Sequence, residues 1–364
     1  MRANPASYAI RPLVAKMVRI GIVGAGWPGQ QHARAINAIA GATLQSLAEP
    51  GEERAAAFRK AYRPRKVCSD YRELLDDAKV DAVVICLPNH LHFPATLAAL
   101  EAGKHVLCEK PPTLNSAEMR VLQKEAEKRG LIYSFSRQFR FTPAVRRAHE
   151  LIARGALGKI YFAEALWVRS RGIPSGVGGW FTEKKRAGGG ALIDIGIHAL
   201  DSAWYLMGTP RPLAVSASVF RNFEHLVTAP VFDVEDAAFA FIRFENEAVV
   251  QLKASWAGNL TDEIPQGLYF GRESNNCTIY GNQATIRLKP LTLFRDEGGQ
   301  LIDEPLTPPD DARPFELQME NFVDAIAGRA VPINNAEQAV YLMEMLDAIY
   351  LSSSTGREAL IARA

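Results

Sequence analysis

The feature that most restricts what this chain can fold into is a glycine-rich turn set between a short apolar run and a helix-like stretch. Val18–Val23 reads as a buried strand, Gly24-Ala25-Gly26-Trp27-Pro28-Gly29 follows it, and Gln30–Ile39 reads as a helix. A G-x-G-x-x-G spacing says little alone, but between a strand and a helix it is the signature of a dinucleotide-binding turn. In that reading Gly24 makes the tight turn, Gly26 lets the backbone approach a pyrophosphate, and Gly29 lets helix and strand pack closely. The anion meets free N–H groups and the positive end of the helix dipole. Pro28 has no N–H and is tolerated in the first helical turn, and Trp27 lies beside it. Glu49 ends the second expected strand, where a carboxylate accepts from ribose hydroxyls and repels a 2′-phosphate. This favours NAD, while Arg54, close by in sequence, keeps NADP open.

The strand–helix alternation then continues. Thr43–Leu47, Val80–Leu87, His105–Cys108 and Leu131–Phe135 read as strands, and Glu52–Ala61, a short capped helix after Asp70, Phe93–Ala102 and Ser116–Arg129 as helices. Such alternation implies an α/β domain with a parallel sheet and right-handed crossovers. Beyond Pro143 the character changes. One helix, Ala144–Arg154, is followed by the longer strands Lys159–Arg169, Leu213–Phe220, Asp236–Phe244 and Ala248–Ala257. Gly281–Asn282 marks a hairpin between Cys277–Tyr280 and Ala284–Leu288, and two helices, Phe315–Ala327 and Ala336–Ser352, close the chain. The expected organisation is a Rossmann domain over 18–141 and an α+β domain with a mostly antiparallel sheet over 142–364. Residues 1–17 read as a leader or an arm reaching a neighbouring subunit, with Met17 directly before the first strand.

Composition narrows the partners. The chain of 364 residues carries a formal charge of +2, too balanced for a nucleic-acid binder. No apolar run is long enough for a membrane span. Cys68, Cys86, Cys108 and Cys277 form no C-x-x-C pair and have no His at ligand spacing, so no metal site is expected. That usage suits a reducing compartment, the cytoplasm.

Three further motifs sharpen the reading. Cys86-Leu87-Pro88-Asn89-His90-Leu91-His92 follows one strand, Glu109-Lys110-Pro111 follows the next, and Gly188-Gly189-Gly190-Ala191-Leu192-Ile193-Asp194-Ile195-Gly196-Ile197-His198 opens the second domain. With the glycine turn, in this order, they resemble the Gfo/Idh/MocA oxidoreductases, the glucose–fructose oxidoreductase and inositol dehydrogenase group. Glu320-Asn321-Phe322-Val323-Asp324-Ala325-Ile326 is similar to that family's C-terminal helices. The resemblance implies an open-faced sheet used for oligomerisation, a homodimer or homotetramer, and substrates that are sugars, polyols or their derivatives. It places Lys110 near the nicotinamide and the reacting oxygen, with Asp194 and His198 as the other catalytic groups, although the stretch reads Asp-x-Gly-x-His rather than the family's Asp-x-Gly-x-x-His. It also implies a cis Lys110–Pro111 peptide and puts Leu87, Pro88, Asn89, His92 and Glu109 against the cofactor. Where similar proteins often carry Asn, this chain has Ser136, so Gln138 or Arg140 is expected to compensate.

On chemical grounds His198 suits a base, and Lys110 suits a donor to a developing alkoxide. Asp194, four residues before His198, shares its face on a helix and could orient the imidazole or bind a hydroxyl; Asp201 is a weaker candidate. Trp167 and Trp180 suit the apolar faces of a sugar ring, and Arg140 and Arg169 suit its hydroxyls. Two other readings stand beside the dehydrogenase: an NAD-dependent glycoside hydrolase working by transient oxidation and elimination, and a non-catalytic NAD-sensing regulator.

Overall fold

The computed structural model describes residues 17–175, 178–259 and 272–362. The expected leader or arm, Met17 apart, lies outside them. In the first domain β1 (Val18–Val23), α1 (Trp27–Ala38), β2 (Ala42–Ala48), α2 (Glu52–Tyr62), β3 (Lys66–Cys68), α3 (Tyr71–Leu75), β4 (Ala82–Ile85), α4 (His92–Glu101), β5 (His105–Cys108), α5 (Ser116–Arg129) and β6 (Tyr133–Phe135) alternate. Their six strands form one sheet in the order β3-β2-β1-β4-β5-β6, every pairing parallel. All four residues of β4 are fully buried, because helices cover both sheet faces and leave only apolar side chains a place. Local signals set the helix ends. Asn115 accepts from the Glu118 N–H at 2.9 Å to start α5, and Gly130 closes it at φ +63. The strand order reverses between β1 and β4, so the crevice at their carboxyl ends is the place for a ligand.

The second domain contains α6 (Pro143–Ala153), β7 (Ile160–Arg169), the short α7 (Lys184–Ala187), a π-helical turn over Leu192–Gly196 that runs into α8 (Ile197–Leu206), then β8 (Pro212–Phe220), β9 (Ala237–Phe244), β10 (Val249–Ser255), β11 (Glu273–Gly281), β12 (Ala284–Leu288), β13 (Leu291–Glu297), β14 (Gln300–Pro305), α9 (Pro314–Ile326), α10 (Ala336–Thr355) and β15 (Ala359–Leu360). Its nine strands are ordered β14-β13-β12-β11-β7-β10-β9-β8-β15, and only β7 with β10 is parallel among the described pairings. The hairpin β13–β14 extends the sheet beyond the last strand read from sequence; Gly298 and Gly299 turn it with φ +65 and +89. β11 also starts four residues earlier than its apolar run, since polar Asn275 and Asn276 pair with Trp167 and Leu166 of β7.

Along β9 Ala238, Ala240, Ile242 and Phe244 are buried in the core that α8 and α10 also enter, while Phe239 and Phe241 stay 42% and 38% exposed on the other face. Sequence order puts α9 in the second domain, but its Met319, Phe322 and Val323 join the core formed by Ile20, Ile22, Ile36 and Leu47 of the first. The chain thus returns to its beginning, and α10 then bridges α5 of one domain and β8 of the other.

Candidate active site

The glycine turn is shaped as its spacing predicts. Gly24 has φ +102, and a Cβ there would stand 2.3 Å from the Cys86 carbonyl oxygen; at Gly29 it would stand 2.1 Å from the Gly24 oxygen. At Gly26 the nearest atom would be Pro28 Cδ at 3.8 Å, so the middle glycine opens on the crevice. The nearby cleft of about 370 Å³ is lined by Val23, Ala48, Pro50, Tyr71, Leu87 and Leu91, an apolar slot suited to a flat base. Gln138 Oε1 is buried with no partner, leaving an acceptor for an amide. Cradle, slot and orphaned acceptor together fit a nicotinamide dinucleotide.

Glu49 sits at the edge of this crevice. Its Oε2 accepts from the Ala25 N–H at 3.0 Å, and its Oε1 from the Gly51 N–H at 2.9 Å and from Arg54 Nη2 at 2.7 Å. Burial raises its pKa, but Arg54 and the two N–H groups outweigh that and hold the carboxyl below its ordinary range. Glu49 therefore braces the glycine turn. Asn89, also expected at the cofactor, spends its amide on the Ala187 carbonyl at 2.8 Å and ties the two domains together.

The catalytic candidates meet at the domain boundary. The Lys110–Pro111 peptide is cis. Lys110 Nζ donates to the Asp194 backbone oxygen at 2.8 Å and to its Oδ1 at 3.1 Å. Asp194 Oδ2 accepts from Trp256 Nε1 at 2.9 Å and Arg169 Nη1 at 3.3 Å. Arg169 also meets Glu273 at 3.3 Å, which accepts from Trp167 Nε1 at 3.0 Å. Burial raises the Asp194 pKa, but Lys110, Arg169 and Trp256 bring it below the ordinary value. The result is a row of alternating charge, Glu273, Arg169, Asp194, Lys110, leading into the cleft.

His198 lies beside Lys110, 6% exposed, with Phe139 edge-on at 4.8 Å and Trp167 at 5.7 Å. Burial and the cations Lys110, Arg137 and Arg169 push its pKa well below 6.5, so the ring is neutral. A His depressed in the folded state stabilises fully above about pH 6.5 and loses that contribution as pH falls. His198→Asn is accordingly expected to flatten the acid-side decline in stability by up to about 1.4 kcal/mol per pH unit, read from denaturant unfolding between pH 6.5 and 5. An unchanged slope would mean that His198 takes up no proton on unfolding.

Several expectations need correction. Asp194 does not orient His198: no hydrogen bond joins them among the described residues, and the Nδ1 of His198 is buried without a partner. The π-helical turn carrying Asp194 has wider i→i+5 bonding, which rotates its side chain off the His198 face toward Lys110 and Trp256. Arg140 does not face substrate. It is 1% exposed and grips Asp201 through Nε at 3.0 Å and Nη2 at 2.6 Å. Asp201 is no catalyst either, because Arg137 Nε also reaches it at 3.0 Å. His92 is 1% exposed with its ring nitrogens 2.6 Å from the Pro111 oxygen and 2.7 Å from the Leu87 oxygen, so it pins two loops rather than touching the cofactor. Glu109 is buried against His32 at 2.7 Å. Trp180 stacks on Phe181 at 4.0 Å. Trp27 is half exposed and packs edge-on against Phe315. Trp256, Glu273 and His32 reach the site from different elements and no motif marks them, while Phe139 stands unnamed between Gln138 and Arg140.

Residues 18–136 match an oxidoreductase family with an NAD-binding Rossmann fold, and residues 145–287 match the C-terminal domain of the same family. The chain belongs to the Gfo/Idh/MocA family. Within it, the chain is similar to D-glucoside 3-dehydrogenase of Escherichia coli, 31% identical over 350 residues that cover 93% of this chain and 96% of that protein. Levoglucosan dehydrogenase of Pseudarthrobacter phenanthrenivorans is 31% identical over 264 residues, 65% of this chain and 67% of that one. The fold matches a levoglucosan dehydrogenase solved with NADH at a TM-score of 0.85 and 24% identity, over 95% of this chain and 100% of that one. Gfo/Idh/MocA membership makes the protein an NAD(P)-dependent oxidoreductase.

Proposed function

We propose that this oxidoreductase oxidises a ring hydroxyl of a glucoside or anhydrosugar with NAD, and reduces the corresponding keto-sugar in reverse. The observation that carries the reading is the cross-domain contact of Lys110 with Asp194 beside a neutral His198. The near full-length likeness to a D-glucoside 3-dehydrogenase supports the substrate class. Gly26, Glu49 and Gln138 would hold the cofactor, whose nicotinamide, when bound, supplies the hydride acceptor. Lys110 donates to the substrate oxygen as negative charge grows there. His198, uncharged and next to Lys110, accepts the hydroxyl proton on a ring nitrogen. Asp194 stays ionised and fixes the Lys110 ammonium. Trp167 and Phe139 offer an apolar wall to the sugar face.

Nicotinamide absorbance, followed together with product analysis over glycosides, anhydrosugars, inositols and aldoses, tests this. NADH formation with a glucoside or anhydrosugar is the expected result. Glycoside cleavage without NADH would replace the reading with oxidation and elimination, and NADH binding without turnover would leave a sensor.

Glu49→Ala is expected to raise the NADP to NAD ratio of kcat/KM by about tenfold or more, equivalent to about 1.4 kcal/mol, since it frees Arg54 for a 2′-phosphate. An unchanged ratio would remove Glu49 from cofactor choice. The sheet face bearing Phe239 and Phe241 is read as covered by a second copy of the chain, which sedimentation of a Phe239→Glu variant checks by its shift to monomer. The four free, buried thiols support a cytoplasmic setting.

A further inference from the structure

We infer that His32 is a positioning residue for the reaction, holding through Glu109 the turn that presents Lys110. The inference rests on the reading of Lys110 as the group that meets the substrate oxygen. His32 lies three residues after Gly29 on α1 and is fully buried. Its Nε2 is 2.7 Å from Glu109 Oε1. Glu109 Oε2 accepts from the Lys110 N–H at 3.2 Å, and the Ser136 hydroxyl helps hold the carboxyl pKa down. Gln318 of α9 donates to Ser136 Oγ at 3.1 Å and accepts from the Arg137 N–H at 2.6 Å. Phe315 closes the pocket edge-on to His32 at 5.3 Å.

Each donor to Glu109 therefore comes from a different part of the fold, and one of them is the peptide that starts Lys110. With that peptide fixed, Lys110 Nζ is located by its own methylenes and by Asp194. A buried carboxylate is costly without partners, and apolar packing would serve a merely structural contact between α1 and β5. The hydrogen-bonded link instead joins the helix whose N-terminus faces the cofactor to the side chain that faces the substrate oxygen. Displacements of about 1 Å in such an arrangement cost about 10²-fold in rate. The charged and titratable groups around Glu109 are His32 of α1, Cys86 after β4, His92 of α4, Cys108 of β5, Lys110, and Arg137 after β6. Burial would raise the Glu109 pKa, but His32, Ser136 and the Lys110 N–H take it down to about 2.

His32→Leu and His32→Gln are compared with Lys110→Ala, with kcat expressed per NADH-binding site. The Leu variant is expected to lose about 10- to 100-fold in kcat with NADH affinity retained. It should also gain an acid limb in the kcat profile as Glu109, no longer paired, protonates. Reductive methylation of Lys110 in cofactor-free protein, read by mass spectrometry, should quicken relative to the other lysines. The Gln variant can donate to Glu109 and should restore most of kcat and remove the limb. Wild-type kcat per site and wild-type methylation in the Leu variant would overturn the inference, even with a lowered Tm. Should the Leu variant not fold, an unaltered kcat and methylation rate in Glu109→Gln would overturn it instead. If Lys110→Ala turns over normally, the reading of Lys110 falls, and the methylation rate alone decides whether His32 holds it.

Discussion

Replacing Lys110 by Ala is expected to lower kcat by about 10²- to 10³-fold while NADH affinity stays within about threefold of the wild type. Removing one donor aimed at a developing oxyanion has an effect of that size. In the proposed role the contact is made where charge appears in the transition state, so the loss falls on kcat rather than on cofactor binding. The side chain spans from the turn after β5 to Asp194 of the second domain at 2.8 and 3.1 Å, while Arg169 is held by Asp194 and Glu273 and Arg137 by Asp201. Lys110→Arg should recover little, because a planar guanidinium cannot occupy the place of a compact ammonium. Steady-state kinetics beside fluorescence titration with NADH separates the two quantities, and equal losses in both would remove Lys110 from the chemical step.

The largest effect on stability is expected at Asp201. Its carboxylate lies between Arg137 and Arg140, all three side chains fully buried. Asp201→Ala strands two cations out of water, and breaking a buried pair from one side costs about 3–5 kcal/mol. For a chain of 364 residues that corresponds to about 4–7 °C in Tm. Asp201→Asn keeps the shape without the charge and should recover little. Arg140→Met should cost less, since Arg137 still neutralises the carboxylate. Thermal unfolding of the three variants checks the order, and an Asp201→Ala variant as stable as the wild type would show that water reaches the arginines.

The two arginines also show where reading the sequence runs out. Arg137 and Arg140 follow Ser136, where the family resemblance points toward the cofactor, and nearness was legible while direction was not. What turned Arg140 inward was Asp201, sixty-one positions away on α8, and no local pattern announces such a partner. The first domain was legible almost element by element, because its central strands are buried on both faces and α3 and α5 carry capping side chains. The second sheet was less so: β13 and β14 alternate polar and apolar residues weakly and lie at an edge, where burial demands little. Lys110, Asp194 and His198 could be named from their motifs. The π-helical turn that redirects Asp194, and the partners Trp256 and Glu273 arriving from β10 and β11, depend on tertiary contacts that spacing does not encode.

One arrangement governs how the molecule comes into being. Met319, Phe322 and Val323 complete a core begun by Ile20, Ile22 and Ile36, yet the ribosome makes them about 180 residues after β6. At translation rates of about 5–20 residues per second, the nascent first domain waits roughly 10 to 40 s with an apolar stripe on α1 uncovered. During that interval the emerging chain is a client for chaperones, and a message cut short before α9 would yield a product that contains every cofactor-binding motif and still lacks part of the core beneath them.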